Sequence, residues 1–184
     1  MNLPNLITFA RLLSVPIAVY LIMQSEYLAA FVLFAMAGIS DALDGYLAKK
    51  KDQTTQLGAI LDPIADKTLL VGVYLTLGLQ GVLPTWLVVL VVFRDLLIVG
   101  GVMIAFLVRL EVKMHPLVIS KINTAAQLAL AAIALAALGL AIDIEKLVDA
   151  AIYVVAATTV ISGASYIVSW TRQMTGVEHG PSGQ

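Results

Sequence analysis

Residues 27–79 read YLAAFVLFAMAGISDALDGYLAKKKDQTTQLGAILDPIADKTLLVGVYLTLGL. Two apolar runs, 27–47 and 57–79, are each long enough to cross a bilayer, whose hydrocarbon layer of about 30 Å takes about 20 helical residues. The joint between them is short and carries Lys49, Lys50 and Lys51. Such a joint predicts antiparallel neighbouring helices, with Asp41 and Asp44 closing the first and Asp62 and Asp66 opening the second. Outward from this pair, four more apolar runs follow at 7–23, 84–108, 117–139 and 147–171. A short interfacial turn at Asn2 to Asn5 leads into the first, and Arg11 and Pro16 interrupt it, so it reads as a retained helix rather than a cleaved signal.

Composition agrees. Apolar residues make up 60% of the chain and charged residues 12%, against the ~25% charge of a soluble domain, and the mean hydropathy is +0.96. The expected fold is an all-α integral membrane protein, a six-transmembrane-helix bundle with a cytoplasm-facing polar cavity. One domain would span 1–175, with a flexible tail at 176–184. A net charge of −1 provides no basic stripe for nucleic acid, and the absence of cysteine removes thiolate metal sites and thiol nucleophiles. Trp86 and Trp170 lie near run ends, as interfacial anchors do, while His115 and His179 have no partner at metal-ligand spacing.

Short-loop cations set the orientation. Lys49 to Lys51 follow the second run, Arg109 and Lys113 the fourth and Arg172 the sixth, while the other side offers only Lys146 among Glu26, Asp143, Glu145 and Asp149. Both termini and the acidic segment are therefore expected on the cytoplasmic side. With no Arg- and Ser-rich leader in the chain, a bacterial inner (plasma) membrane is the expected host.

Four of the eight aspartates stand as two pairs at the facing helix ends of this one segment. Asp41 and Asp44 stand at i,i+3 and Asp62 and Asp66 at i,i+4, so each pair shares a helix face. Ionised carboxylates at membrane depth cost a few kcal/mol each even on lenient scales, and four together need a cation among them or protons on most. Oxygen ligands without histidine or cysteine favour Mg²⁺, Mn²⁺ or Ca²⁺, and four carboxylates suffice for two ions that polarise a phosphoryl group. Gly45 and Gly58 leave room for a bulky ligand beside the same faces. The bland alternative, helix-end acids paired with Lys49 to Lys51 and Lys67, does not require this convergence.

The spacing D-x-x-D-G-x-x-A-R-x8-G-x3-D-x3-D resembles the motif of the CDP-alcohol phosphatidyltransferases, with Lys49 standing where the family has Arg. Lys keeps the charge but lacks the planar two-pronged grip on phosphate. The resemblance extends to Pro4, Asn5, Thr8 and Arg11, to Arg94-Asp95, and to the stretch from Ser120 through Lys121, Asn123 and Thr124 to Gln127. It implies transfer of a substituted phosphoryl group from a CDP-linked donor to an alcohol, releasing CMP, in a homodimer. By motif position, Asp41, Asp44, Asp62 and Asp66 would hold two ions, Mg²⁺ or Mn²⁺, with Asp66 as general base. Asp41, Gly45, Ala48, Lys49 and Gly58 would line the nucleotide and donor site. An apolar tail suits a cavity open to lipid, so CDP-diacylglycerol is the expected donor.

Arg11, Arg94, Lys121 and Asn123 are the candidate acceptor-binding residues. Facing the cavity, the three cations would make an anion pocket; alternatively Asp95 neutralises Arg94, and Arg11 and Lys121 snorkel. The related phosphatidylglycerophosphate synthases carry a second Arg on the fourth helix and a K-x-K pair on the fifth, where this chain has Val102 and Lys121-x-Asn123. Two missing cations suit a phosphodiester better than the dianion of glycerol 3-phosphate, and the stretch at 119–127 is similar to the eukaryotic-type cardiolipin synthases. The implied acceptor is phosphatidylglycerol, with glycerol 3-phosphate the alternative. A divalent-cation transporter is the rival class, but it would spread its acids through the membrane's depth.

Overall fold

A computed structural model describes the backbone of residues 3–51, 56–107 and 118–176. Side chains are described within 10–40, 67–101 and 118–168, and at Thr171. Six helices and no strand occur among the described residues: α1 (Leu3–Met23), α2 (Tyr27–Lys51), α3 (Gln56–Leu79), α4 (Thr85–Leu107), α5 (Val118–Gly139) and α6 (Glu145–Gly176). The fourth run, read as 84–108, thus ends within a residue of α4 at either side. The start of α1 differs from the expected turn, because Leu3, Pro4 and Asn5 are already helical. Proline suits a first helical turn, where its missing N–H would have had no partner anyway.

Three tight turns close one end of the molecule in the same way. Ser25, Gly81 and Ala141 each take a positive φ, of 61°, 74° and 52°. The N–H of the next residue in each turn bonds back five positions: Glu26 to the Leu21 carbonyl at 2.9 Å, Val82 to Leu77 at 2.9 Å and Ile142 to Ala137 at 3.0 Å. This is the Schellman arrangement, which caps the last carbonyls of a helix and reverses the chain. It pairs α1 with α2, α3 with α4 and α5 with α6.

The hairpins assemble into two rings of helices that share α3 and α5. In one, α1, α2, α5 and α3 follow each other around; in the other, α3, α4, α6 and α5 do. Close approaches mark the seams. A Cβ on Gly139 would lie 2.6 Å from the main-chain nitrogen of Leu28, and one on Gly78 would lie 2.8 Å from Val88. Ile22, Val73, Leu77, Leu87, Val91, Leu130 and Leu135 form a fully buried core between the rings. The exterior is also apolar: Leu13, Tyr20, Leu79, Leu96, Val118 and Tyr153 are each more than half exposed. Surfaces of this kind mark contact with lipid or protein. Two helical segments, Val118–Gly139 and Glu145–Val168, are long and apolar enough to cross a membrane by length and composition, with mean hydropathies of 1.7 and 1.8.

Candidate functional site

Asp41, Asp44, Gly45, Ala48 and Lys49 lie on the C-terminal turns of α2, and Gly58, Asp62 and Asp66 on the N-terminal turns of α3. Their side chains lie outside the described residues, as does that of Val102. The helical backbone keeps each aspartate pair on one face. Among the described residues α2 and α3 do not touch; each packs against α1 and α5, so they stand across the first ring from one another. No three His, Cys, Asp or Glu side chains gather as a metal site among the described residues. The donor set of the acidic segment, four carboxylates at helical spacing on α2 and α3, has the chemistry a hard divalent ion requires.

The second ring holds a polar network built on Arg94 and Asp95 of α4. Arg94 Nη1 donates to Asp95 Oδ1 at 2.6 Å. Its Nη2 donates to Ser120 Oγ of α5 and to Ser162 Oγ of α6, both at 2.6 Å, and its Nε also reaches Ser162 at 3.2 Å. From α3, the Lys67 ammonium donates to both Asp95 oxygens at 3.1 Å. One network therefore ties all four helices of the ring. Arg94 and Asp95 are buried, at 3% and 4% exposure, whereas the Lys67 side chain is 25% exposed. A charge at such depth persists only with partners, and here one carboxylate serves two cations.

The remaining predicted residues scatter. Asn123 is buried against α6, where its Oδ1 accepts from Thr158 at 2.8 Å and from Thr159 at 2.9 Å. Lys121, two residues earlier, is exposed. Arg11 is buried on α1, and its carbonyl accepts from Ser14 Oγ at 2.6 Å. The structure thus brings Arg94 together with Asp95, Ser120, Ser162 and Lys67, but not with Lys121. Sequence reasoning missed Ser162 and the tie from Lys67 to Asp95. A lone serine in an apolar helix carries no signal, and Lys67 reads as a partner for the acids next to it.

Comparison with known proteins follows the same lines. The family model for CDP-alcohol phosphatidyltransferases matches residues 1–174. The chain belongs to that family. It is 36% identical over 183 residues to a fission yeast (Schizosaccharomyces pombe) fusion of cardiolipin synthase (CMP-forming) with a mitochondrial hydrolase, covering 91% of this chain and 31% of that protein. It is likewise 36% identical over 190 residues to a rice (Oryza sativa) chloroplastic CDP-diacylglycerol–glycerol-3-phosphate 3-phosphatidyltransferase, covering 94% and 58%. With a Pseudomonas fluorescens protein of that second activity it shares 49% over 90 residues, covering 47% of this chain and 46% of the relative. The chain spans less than two thirds of the length of each of these relatives.

Proposed function

We propose that this protein is a cardiolipin synthase, transferring a phosphatidyl group from CDP-diacylglycerol to phosphatidylglycerol and releasing CMP. The observation that carries the choice of acceptor is the charge of the network around Arg94. Within that network Lys67 and Arg94 supply two positive charges and Asp95 removes one, a net charge of +1. A phosphodiester such as phosphatidylglycerol carries one negative charge, whereas the phosphomonoester of glycerol 3-phosphate carries close to two. The position of Asn123 agrees, since its Oδ1 accepts from two threonines and its amide adds no cation.

In this reading six helices cross a membrane, and the aspartate ends of α2 and α3 face a polar cavity on the cytoplasmic side. The apolar exterior supports the crossings, and the basic joints support the orientation. The 49% identity to the Pseudomonas relative favours a bacterial plasma membrane as host. Asp41, Asp44, Asp62 and Asp66 would hold two Mg²⁺ or Mn²⁺ ions, which neutralise the diphosphate and polarise the transferred phosphoryl group. Asp41, Gly45, Ala48, Lys49 and Gly58 would seat the cytidine nucleotide. Arg94, with Arg11, Lys121 and Asn123, would orient the acceptor; Arg94 still has one of its five N–H donors uncommitted by its four bonds. Asp66 accepts the proton of the acceptor hydroxyl as that oxygen bonds to phosphorus and the bond from phosphorus to the CMP oxygen breaks. The enzyme works as a homodimer, by the family resemblance.

The relatives of the second activity favour a second reading, a phosphatidylglycerophosphate synthase with glycerol 3-phosphate as acceptor. A product assay separates the two. The purified protein in detergent micelles receives CDP-diacylglycerol, Mg²⁺ or Mn²⁺ and one acceptor at a time, with Asp66→Asn as the blank. Cardiolipin formed from phosphatidylglycerol alone supports the first reading; product from glycerol 3-phosphate alone replaces it with the second. CMP from neither acceptor rejects both.

A further inference from the structure

We infer that Asp95 is a positioning residue for the transfer reaction: through Lys67 it fixes the rotational setting of α3, and with it the helix face that bears Asp62 and Asp66. The inference rests on the proposal that this face is the reacting site. Lys67 directly follows Asp66, so their Cα atoms are about 3.8 Å apart and whatever holds one holds the other.

The local sequence makes such a hold necessary. Pro63 falls between the two aspartates inside α3, and a proline there removes a helical N–H and weakens the ladder. Beyond this weak point, among the described residues, the Lys67 side chain ties α3 sideways: its ammonium is shared between both Asp95 oxygens at 3.1 Å. Asp95 is itself held by Arg94, and Arg94 by Ser120 and Ser162, so the tie is anchored on α4, α5 and α6 together. A rotation of α3 by about 20° would swing carboxylates at the helix surface, about 5–6 Å from the axis, by about 2 Å. A misplacement of about 1 Å at a reacting centre can cost about a hundredfold in rate. An ion pair kept for stability alone has no such need, because apolar side chains of similar volume hold helices together as well or better.

The chain has no cysteine, so spin labels go where they are placed. Cysteines at Leu75 of α3 and Leu96 of α4, both exposed, report the setting of one helix against the other in the full-length protein in liposomes. Asp95→Asn is expected to shift or broaden the interlabel distance by about 2 Å and to lower kcat about a hundredfold, with the KM for CDP-diacylglycerol within about twofold. Lys67→Met should do the same, the double variant should be no worse than either single one, and Lys67→Arg, which can still grip both oxygens, should recover most of kcat. Should Asp95→Asn not fold, Lys67→Met carries the test, because Asp95 then keeps Arg94. An unchanged distance distribution overturns the inference, and so does a shifted distance with wild-type kcat. A wild-type protein that transfers to neither acceptor sinks the proposed reaction, and the labels then decide by themselves whether Asp95 sets α3.

Discussion

The hydroxyl of Tyr74 on α3 donates to the main-chain carbonyl of Gln127 on α5 at 3.0 Å, with both residues wholly buried. This bond crosses the seam common to the two helical rings. Tyr74→Phe removes the donor without changing the packing and is expected to cost about 0.5–1.5 kcal/mol, nearer the lower figure inside a membrane. Transfer activity should persist, because the bond lies about two helical turns from Lys67 and further from Asp66. A thermal melt in detergent beside an activity assay checks both halves.

Gln127 itself gives the opposite expectation. Among the described residues its Nε2 and Oε1 are buried with no hydrogen-bond partner, as is Nδ2 of Asn123 one turn earlier on α5. An unsatisfied buried amide costs about 1–3 kcal/mol, so Gln127→Leu, which nearly keeps the volume, should raise the melting temperature or leave it unchanged. A clear drop would mean that the amide has a partner, and ordered water bridging Gln127 and Asn123 is the first to look for, by water-sensitive NMR or infrared spectroscopy.

The turns offer a third test. Ala141 pays for its left-handed φ of 52°, whereas Gly81 holds 74° without strain. Ala141→Gly should therefore stabilise the protein by up to about 1 kcal/mol, and Gly81→Ala should destabilise it by a similar amount. Gly139→Ala should be worse than either, by about 1–3 kcal/mol, since the new methyl meets the Leu28 backbone rather than a movable side chain. Gly100→Ala, inside α4 with open space around it, should instead stabilise by about 0.5–1 kcal/mol through helix propensity. Melting curves of the four variants rank them.

These residues also show what the sequence could and could not convey. Apolar runs of about 20 residues between polar joints mark helices by length alone, so all six were legible, and so was the special character of Arg94-Asp95 in an apolar run. The turns were less so, because Ser25 and Ala141 hold positive φ without the glycine that advertises it. Lys67 was misleading for a physical reason: one-dimensional proximity to Asp66 suggests a local pair, while the side chain is long enough to reach another helix. Ser162 was invisible, since a serine that satisfies its own helix and one that grips a guanidinium read alike. The spacing of its aspartates located the acidic segment, whose side chains lie outside the described residues.

That spacing makes a last prediction about metal. If all four aspartates act together on two ions, each ion must be present before transfer can occur, and the rate below saturation should rise with nearly the square of the free Mg²⁺ or Mn²⁺ concentration. One ion alone would give a first-power dependence. Removing a ligand that contributes to a site should shift the curve to higher metal, so Asp44→Ala should need substantially more Mn²⁺ to reach half its maximal rate, whereas Asp66→Asn, lacking the base, should lose at least about a hundredfold at saturating metal. Chelation should abolish CMP release and added Mn²⁺ should restore it. The measurement is CMP release against buffered free metal for the wild type and both variants. A rate that survives chelation, or a first-power curve in the wild type, would reject the two-ion reading.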